Sequence, residues 1–211
     1  MLKASDMQLY AVTDSRWLKE GETLAGQVEK AILGGVTFVQ LREKEADDES
    51  FLKLAREVQA VCKKYKVPFV INDRVDIAKA VDADGVHVGQ DDESAKMARE
   101  ELGPDKIIGV SCKTVEQALK AQRDGADYLG VGAMFATGTK GDAKTISYER
   151  LQTVCSASEL PVVAIGGITL DNMETLAGSG ISGIAVVSAI FAQDDPQTAA
   201  EELKRKVLQI V

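Results

Sequence analysis

Short apolar runs recur along the chain at nearly even spacing, and each is followed by a stretch with helical periodicity. The runs are "QLYAVT" at 8–13, "TFVQLR" at 37–42, "PFVIN" at 68–72, "GVHVG" at 85–89, "KIIGVS" at 106–111, "DYLGVG" at 127–132, "PVVAIG" at 161–166 and "GIAVVS" at 183–188, eight in all. Between the second and third, "DESFLKLAREVQAVCKKY" puts Phe51, Leu52, Leu54, Ala55, Val58, Val61, Cys62 and Tyr65 on one broad stripe with charge opposite, which predicts an amphipathic helix. Thr114 and Gln117 have the spacing of a capping box, and Gly125 stands where a left-handed helix terminus is needed. The same order of helix, glycine and strand recurs in "ILGGVTFV", "QRDGADYL" and "AGSGISGIAVV", so the pattern is a repeated βα unit.

Strands this apolar, with few alternating polar positions, belong to a sheet covered on both faces, and such sheets are parallel with helical crossovers. Eight strands in 211 residues leave room for little else. The α/β solution that fits is a single (β/α)8 TIM barrel of near-minimal size spanning residues 1–211, with an open doubly wound sheet as the alternative. No linker or low-complexity segment divides the chain.

Composition narrows the partners. A hydrophobic content of 45% with 27% charged residues is that of a globular chain with a substantial core. The net charge of −8 tells against a nucleic-acid or anionic-membrane surface, since both require a broad positive potential. No run approaches the roughly 18 apolar residues of a membrane span, and "MLKASDMQLY" lacks the apolar region of a secretory signal, so a cytoplasmic location is expected. Cys62, Cys112 and Cys155 are odd in number and widely spaced, without zinc-site spacing, and no activating base accompanies Cys112 after its strand, so they read as reduced thiols and not as a zinc site or a catalytic thiol. No decisive apolar stripe marks an exterior face, so homo-oligomerisation is left open.

In a βα barrel the residues just past the C-terminal strand ends converge on one mouth. After the second run come Gln40, Arg42 and Lys44, whose period-two spacing turns an amide and two cations to one side, a set suited to a phosphate-rich ligand. After the third stand Asn72 and Asp73, and after the fourth Gln90, Asp91 and Asp92. Each aspartate alone reads as a helix cap, but neighbouring parallel strands lie roughly 4.8 Å apart, so together the carboxylates can share a hard cation such as Mg²⁺. Ser111 follows the fifth run. After the sixth, "GAMFATGTKGDAKT" offers Thr137, Thr139 and Lys140 on a loop long enough to close over an anion. Gly166 and Gly167 follow the seventh run, and the amides around Ser188 after the eighth can open a short helix toward a second phosphate, expected on the opposite side of the mouth from Gln40, Arg42 and Lys44. The sole histidine, His87, sits inside its run and reads as a satisfied wall residue.

Over nearly its whole length the chain resembles the thiamine-phosphate synthase family, also called thiamine-phosphate pyrophosphorylase. "LYAVTD", "QLREK", "INDR", "GVHVGQDD", "TGTKGDA", "AIGGI" and "VVSAI" occur in that family's order and with compatible spacing. The resemblance implies Mg²⁺-dependent condensation of a hydroxymethylpyrimidine diphosphate with a thiazole phosphate, giving thiamine phosphate and diphosphate. It implies that Gln40, Arg42, Lys44, Asn72, Ser111 and Lys140 contact the pyrimidine diphosphate, with Arg42, Lys44, Lys140 and Ser111 catalytic. It further implies that Asp73 and Asp92 hold Mg²⁺, and that Thr137, Thr139, Gly167, Val187 and Ser188 contact the thiazole phosphate. Ala136 departs from the family, which often has proline before the first loop threonine, and this implies a less rigid loop. Two alternatives remain: a thiazole phosphate tautomerase, and a non-catalytic thiazole-phosphate binding protein. Neither needs the diphosphate-binding and metal residues.

Overall fold

The computed structural model describes residues 2–90, 95–138 and 144–211. Each of the eight apolar runs forms a strand: β1 (Leu9–Val12), β2 (Phe38–Leu41), β3 (Phe69–Asn72), β4 (Gly85–Val88), β5 (Ile107–Cys112), β6 (Tyr128–Gly132), β7 (Val162–Ile165) and β8 (Gly183–Val186). All pair in parallel and in chain order, and β8 returns to β1, so the sheet is the closed barrel and not the open alternative.

Although the strands look uniformly apolar, period two divides them. Leu9, Ala11, Val39, Leu41, Phe69, Ile71, Val86, Val88, Ile108, Val110, Leu129, Val131, Ile184 and Val186 pack outward against the helices in one large core. A second cluster, with Tyr10, Phe38, Val70, Tyr128, Val163 and Ala185 among it, fills the lumen. Tyr10, Phe38 and Tyr128 form an aromatic plug, with ring centroids 4.6 to 5.8 Å apart. Glycine at the neighbouring inward position makes that possible: a Cβ on Gly109 would lie 2.1 Å from Tyr128 Cζ.

The crossover helices are α1 (Leu24–Leu33), α2 (Asp48–Tyr65), α3 (Val75–Ala80), α4 (Ala95–Leu102), α5 (Val115–Arg123) and α6 (Tyr148–Ala157), with α7 (Ser188–Phe191) and α8 (Pro196–Val207) closing the chain. The predicted stripe of α2 is buried at Phe51, Ala55, Val58 and Cys62 and half-buried at its edges. Thr114 caps α5 by accepting from the Gln117 N–H at 3.2 Å, but the Gln117 side chain accepts from Lys113 N–H and not from Thr114, so the box closes one residue early. Gly125 ends that helix at φ +91°. The seventh crossover departs from the helical pattern. Only a 3₁₀ turn, Met173–Leu176, stands there, cut off by Gly178 and Gly180 in left-handed conformations. No helix among the described residues is long and apolar enough to cross a membrane.

Candidate active site at the strand C-termini

Above the aromatic plug the strand ends enclose a cavity of about 710 Å³. Of the ten sequence-predicted site residues that are described, nine line it: Gln40, Arg42, Lys44, Asn72, Ser111, Thr137, Gly167, Val187 and Ser188. Asp73 stands at the β3 end behind Asn72 and is not part of the lining, while Asp92, Thr139 and Lys140 lie outside the described residues. The alternation of β2 carries past its last residue, so Gln40, Arg42 and Lys44 climb one wall, as their spacing predicts. One expectation fails. The residues expected to form the two anion subsites are not opposite, because β8 pairs with β1 and β1 with β2; a single strand separates the Arg42 wall from Ser188.

The cationic wall is held from β1. Arg42 N–H donates to Thr13 Oγ1 at 3.0 Å, and Arg42 Nη1 lies 3.7 Å from Asp14 Oδ2. Between the two cations, burial pushes the Glu43 carboxyl upward, reinforced by Asp14, which weakens the one anion in "QLREK".

The β6 loop is fastened to the end of β7. Met134 N–H donates to Ile165 O at 3.0 Å and Phe135 N–H to Gly166 O at 2.9 Å. Gly167, at φ +66°, lets the two segments meet, since a Cβ there would lie 2.5 Å from Ala136 O. The register brings Thr137 to the cavity even with alanine at 136. One strand further round, past β7, α7 begins at Ser188 with Val187 as its N-cap and no side-chain cap on its first-turn amides.

The cavity floor is a buried polar chain. Gln40 Nε2 donates to the Tyr10 hydroxyl, which bonds the Tyr128 hydroxyl at 2.7 Å. Tyr128 bonds His87 Nδ1 at 2.9 Å, and His87 Nε2 bonds Ser111 Oγ at 2.9 Å. Burial pushes both tyrosine hydroxyls well above the usual phenol range, so they stay protonated. His87 is thus the satisfied wall residue its surroundings predict.

The donors near β3 and β4 suit a hard cation. Asp73, at φ +61°, donates its N–H to His87 O at 2.9 Å, and its Oδ2 accepts from Asn72 Nδ2 at 2.6 Å, so a carboxylate is fixed on a tight turn beside β4. The softer groups nearby are committed elsewhere. Both ring nitrogens of His87 are hydrogen-bonded, and burial pushes the Cys112 thiol up to about 12. That leaves oxygen donors, the set Mg²⁺ prefers. Among the described residues no group of three or more His, Cys, Asp or Glu is placed to hold a metal, and Asp92 is outside that set.

Some lining residues went unread in the sequence. Gln90, whose Nε2 donates to Ser111 O at 2.8 Å, reads in the sequence only as part of a polar cluster, Gln117 only as a capping residue, and Lys113 carries no expectation. Gln90 and Lys113 directly follow strand ends, which is the signal that marks them, whereas Gln117 reaches the cavity from the first turn of α5.

A protein-family model described as thiamine monophosphate synthase matches residues 9–190. A thiamine-phosphate synthase from Clostridium tetani (strain Massachusetts / E88) is 51% identical over 201 residues, covering 95% of this chain and 96% of its own. One from Alkaliphilus oremlandii (strain OhILAs) is 51% identical over 202 residues, covering 96% of each. The solved structure of a thiamine phosphate pyrophosphorylase from Pyrococcus furiosus superposes with a TM-score of 0.89 at 38% identity, covering 99% of this chain and 98% of that one.

Proposed function

The chain belongs to the thiamine monophosphate synthase family, and from that premise we propose that its cavity holds 4-amino-2-methyl-5-(diphosphooxymethyl)pyrimidine beside a thiazole phosphate and joins them. Its activity is that of a thiamine-phosphate synthase, a transferase of thiamine biosynthesis. The observation that carries the finer reading is the clustering of Gln40, Arg42, Lys44, Asn72 and Ser111 with Thr137, Gly167, Val187 and Ser188 around one cavity. The first group takes the pyrimidine diphosphate. The second, together with Thr139, takes the thiazole phosphate on the β7–β8 side.

In the reaction the bond from the pyrimidine methylene to the diphosphate oxygen breaks, and its electron pair leaves with diphosphate. The electron-rich aminopyrimidine delocalises the methylene cation. The thiazole nitrogen then donates its lone pair to form the new C–N bond, so no general base is needed. What the protein must stabilise is the charge growing on the leaving group, and Arg42, Lys44, Lys140 and the Ser111 hydroxyl are the groups for that task. Asp73 and Asp92 are the residues that would hold Mg²⁺, which when bound neutralises further diphosphate charge. The adjacent subsites, one strand apart, keep the thiazole nitrogen close to the methylene so that it traps the cation ahead of water.

The whole chain, residues 1–211, acts in this reading as one catalytic barrel, in the cytoplasm. The cationic wall favours it over a thiazole phosphate tautomerase or a non-catalytic binder, neither of which handles a diphosphate. The test is incubation of folded protein with both substrates, with and without Mg²⁺, following thiamine phosphate and diphosphate. Stoichiometric, Mg²⁺-dependent product is expected, and no product under either condition overturns the proposal.

A further inference from the structure

Gln40 and Ser111 belong to strands on different sides of the barrel, yet one continuous hydrogen-bond chain joins them through Tyr10, Tyr128 and His87. Tyr10, Tyr128, Gln40 and His87 are 1%, 0%, 3% and 6% exposed, and the two phenol hydroxyls at the middle of the chain lie below the cavity that its ends line. Its direction follows from the Gln40 amide nitrogen, which stands at the Tyr10 hydroxyl, together with donor counting. A phenol has one proton to give. Gln40 Nε2 donates to the Tyr10 oxygen, so Tyr10 passes its own proton to Tyr128. Tyr128, having accepted, gives its proton to His87 Nδ1. A neutral imidazole with Nδ1 as acceptor carries its proton on Nε2, and that proton goes to Ser111 Oγ.

The two ends are thereby fixed with opposite polarity. Gln40 turns the nitrogen side of its amide toward Tyr10, so the carbonyl oxygen, on the other branch of the amide, is the acceptor it presents to a ligand. Ser111 has accepted from His87, so its own hydroxyl proton is left for the cavity, and it donates. Both residues line the cavity.

We infer that Tyr10 and Tyr128 are positioning residues that set the hydrogen-bond polarity of the cavity floor, presenting an acceptor at Gln40 and a donor at Ser111, and so select a pyrimidine bearing an exocyclic amine over its oxo counterpart. The inference rests on reading the cavity as the pyrimidine diphosphate site. An amine gives protons to the Gln40 carbonyl, and an oxo group in its place puts two acceptors face to face. The alternative state of the chain is its complete reversal, with the Gln40 amide turned, His87 protonated on Nδ1 and Ser111 an acceptor. Partial reversal leaves a buried group unsatisfied, which costs about 1–3 kcal/mol, so the two ends switch together.

His87 is the only histidine in the chain, so its ring nitrogens give an unambiguous ¹⁵N signal. At about pH 8, where an ordinary imidazole is neutral, the wild type is expected to show a proton on Nε2 and an acceptor at Nδ1. A proton on Nδ1 overturns the assignment without any variant being made. In Tyr128→Phe, which removes the donor to Nδ1, the signal should move toward a mixture of tautomers; an unchanged tautomer also overturns it.

Selectivity is read by equilibrium binding of 4-amino-5-hydroxymethyl-2-methylpyrimidine phosphate and its 4-oxo analogue without the thiazole partner, so that cation chemistry does not enter. The wild type should favour the amine by about 10-fold or more. Tyr10→Phe frees the Gln40 amide to turn and should bring the ratio to within about 3-fold. An undiminished ratio in Tyr10→Phe rejects the role given to the tyrosines. Failure of the wild type to bind either pyrimidine overturns the reading of the cavity, and the selectivity with it, whereas the tautomer tests the direction of the chain alone.

Discussion

The Asp14 carboxylate lies 3.7 Å from the Arg42 guanidinium, at the point where β1 passes into the mouth of the barrel. Asp14 is 8% exposed and also accepts from Arg16 Nε at 2.8 Å, so it is a buried anion shared by two arginines. Asp14→Asn preserves the shape and the backbone capping of Ser15–Trp17 while removing the charge that aims Arg42. The mouth becomes more positive and Arg42 less directed. The expected result is a several-fold fall in kcat, with KM for the pyrimidine diphosphate unchanged or lower, in steady-state kinetics. A raised KM at constant kcat is the contrary outcome.

Two inward glycines give a ranked prediction. A Cβ on Gly109 meets the Tyr128 ring at 2.1 Å, whereas one on Gly130 meets His87 Cε1 at 3.1 Å. The first contact forces a large buried ring to move. The second asks for a few tenths of an ångström. Gly109→Ala should therefore cost about 1–3 kcal/mol or more through overpacking, and Gly130→Ala less. Equal shifts in thermal denaturation would mean that the lumen is looser than the plug geometry implies.

These glycines also mark where the sequence stops being legible. The eight strands and the span of α2 follow from local periodicity, because burial on two faces and an amphipathic stripe both leave their pattern in adjacent residues. The ring of site residues follows from barrel topology, which needs only the strand ends. The polar chain is different. In "QLYAVT" and "DYLGVG" the tyrosines read as ordinary strand aromatics, and their hydroxyls meet only when residues 118 positions apart are brought together by the fold. The same is true of the neighbouring subsites, since the sequence order of β2 and β8 suggests distance and only closure of the barrel brings them near. The short turn at Met173–Leu176 lacks enough residues for a periodic signal at all.

The thiols give a pH prediction. Burial pushes Cys62 and Cys112 up to about 12 and Cys155 to about 11, against an unfolded value of 9.0. The folded thiols keep their protons where the unfolded chain releases them, so the folded state binds more protons above 9.0 and stability falls with rising pH. That contribution is intact below 9.0 and is lost progressively toward 12. A thiolate-specific reagent at about pH 8 should react slowly with native protein and with all three cysteines after denaturation. Rapid native reaction of Cys112 would contradict its burial.

The metal assignment can be separated from substrate binding because its proposed residues leave β3 and β4, whereas the thiazole phosphate groups leave β6, β7 and β8. Asp73 is already fixed by Asn72 at 2.6 Å and by its own N–H to β4, so its carboxylate needs little reorganisation to meet a cation. Asp73→Asn keeps the turn, since asparagine also tolerates a left-handed backbone, and removes one negative ligand. Activity titrated with Mg²⁺ should then need about 10-fold or more metal for half-maximal rate, and Asp92→Asn should do the same. Thiazole phosphate binding, measured without metal, should be unchanged in both. A variant that loses thiazole phosphate affinity and metal response in equal measure would falsify the division of the mouth, because it would place the carboxylate in the second subsite or in the fold itself.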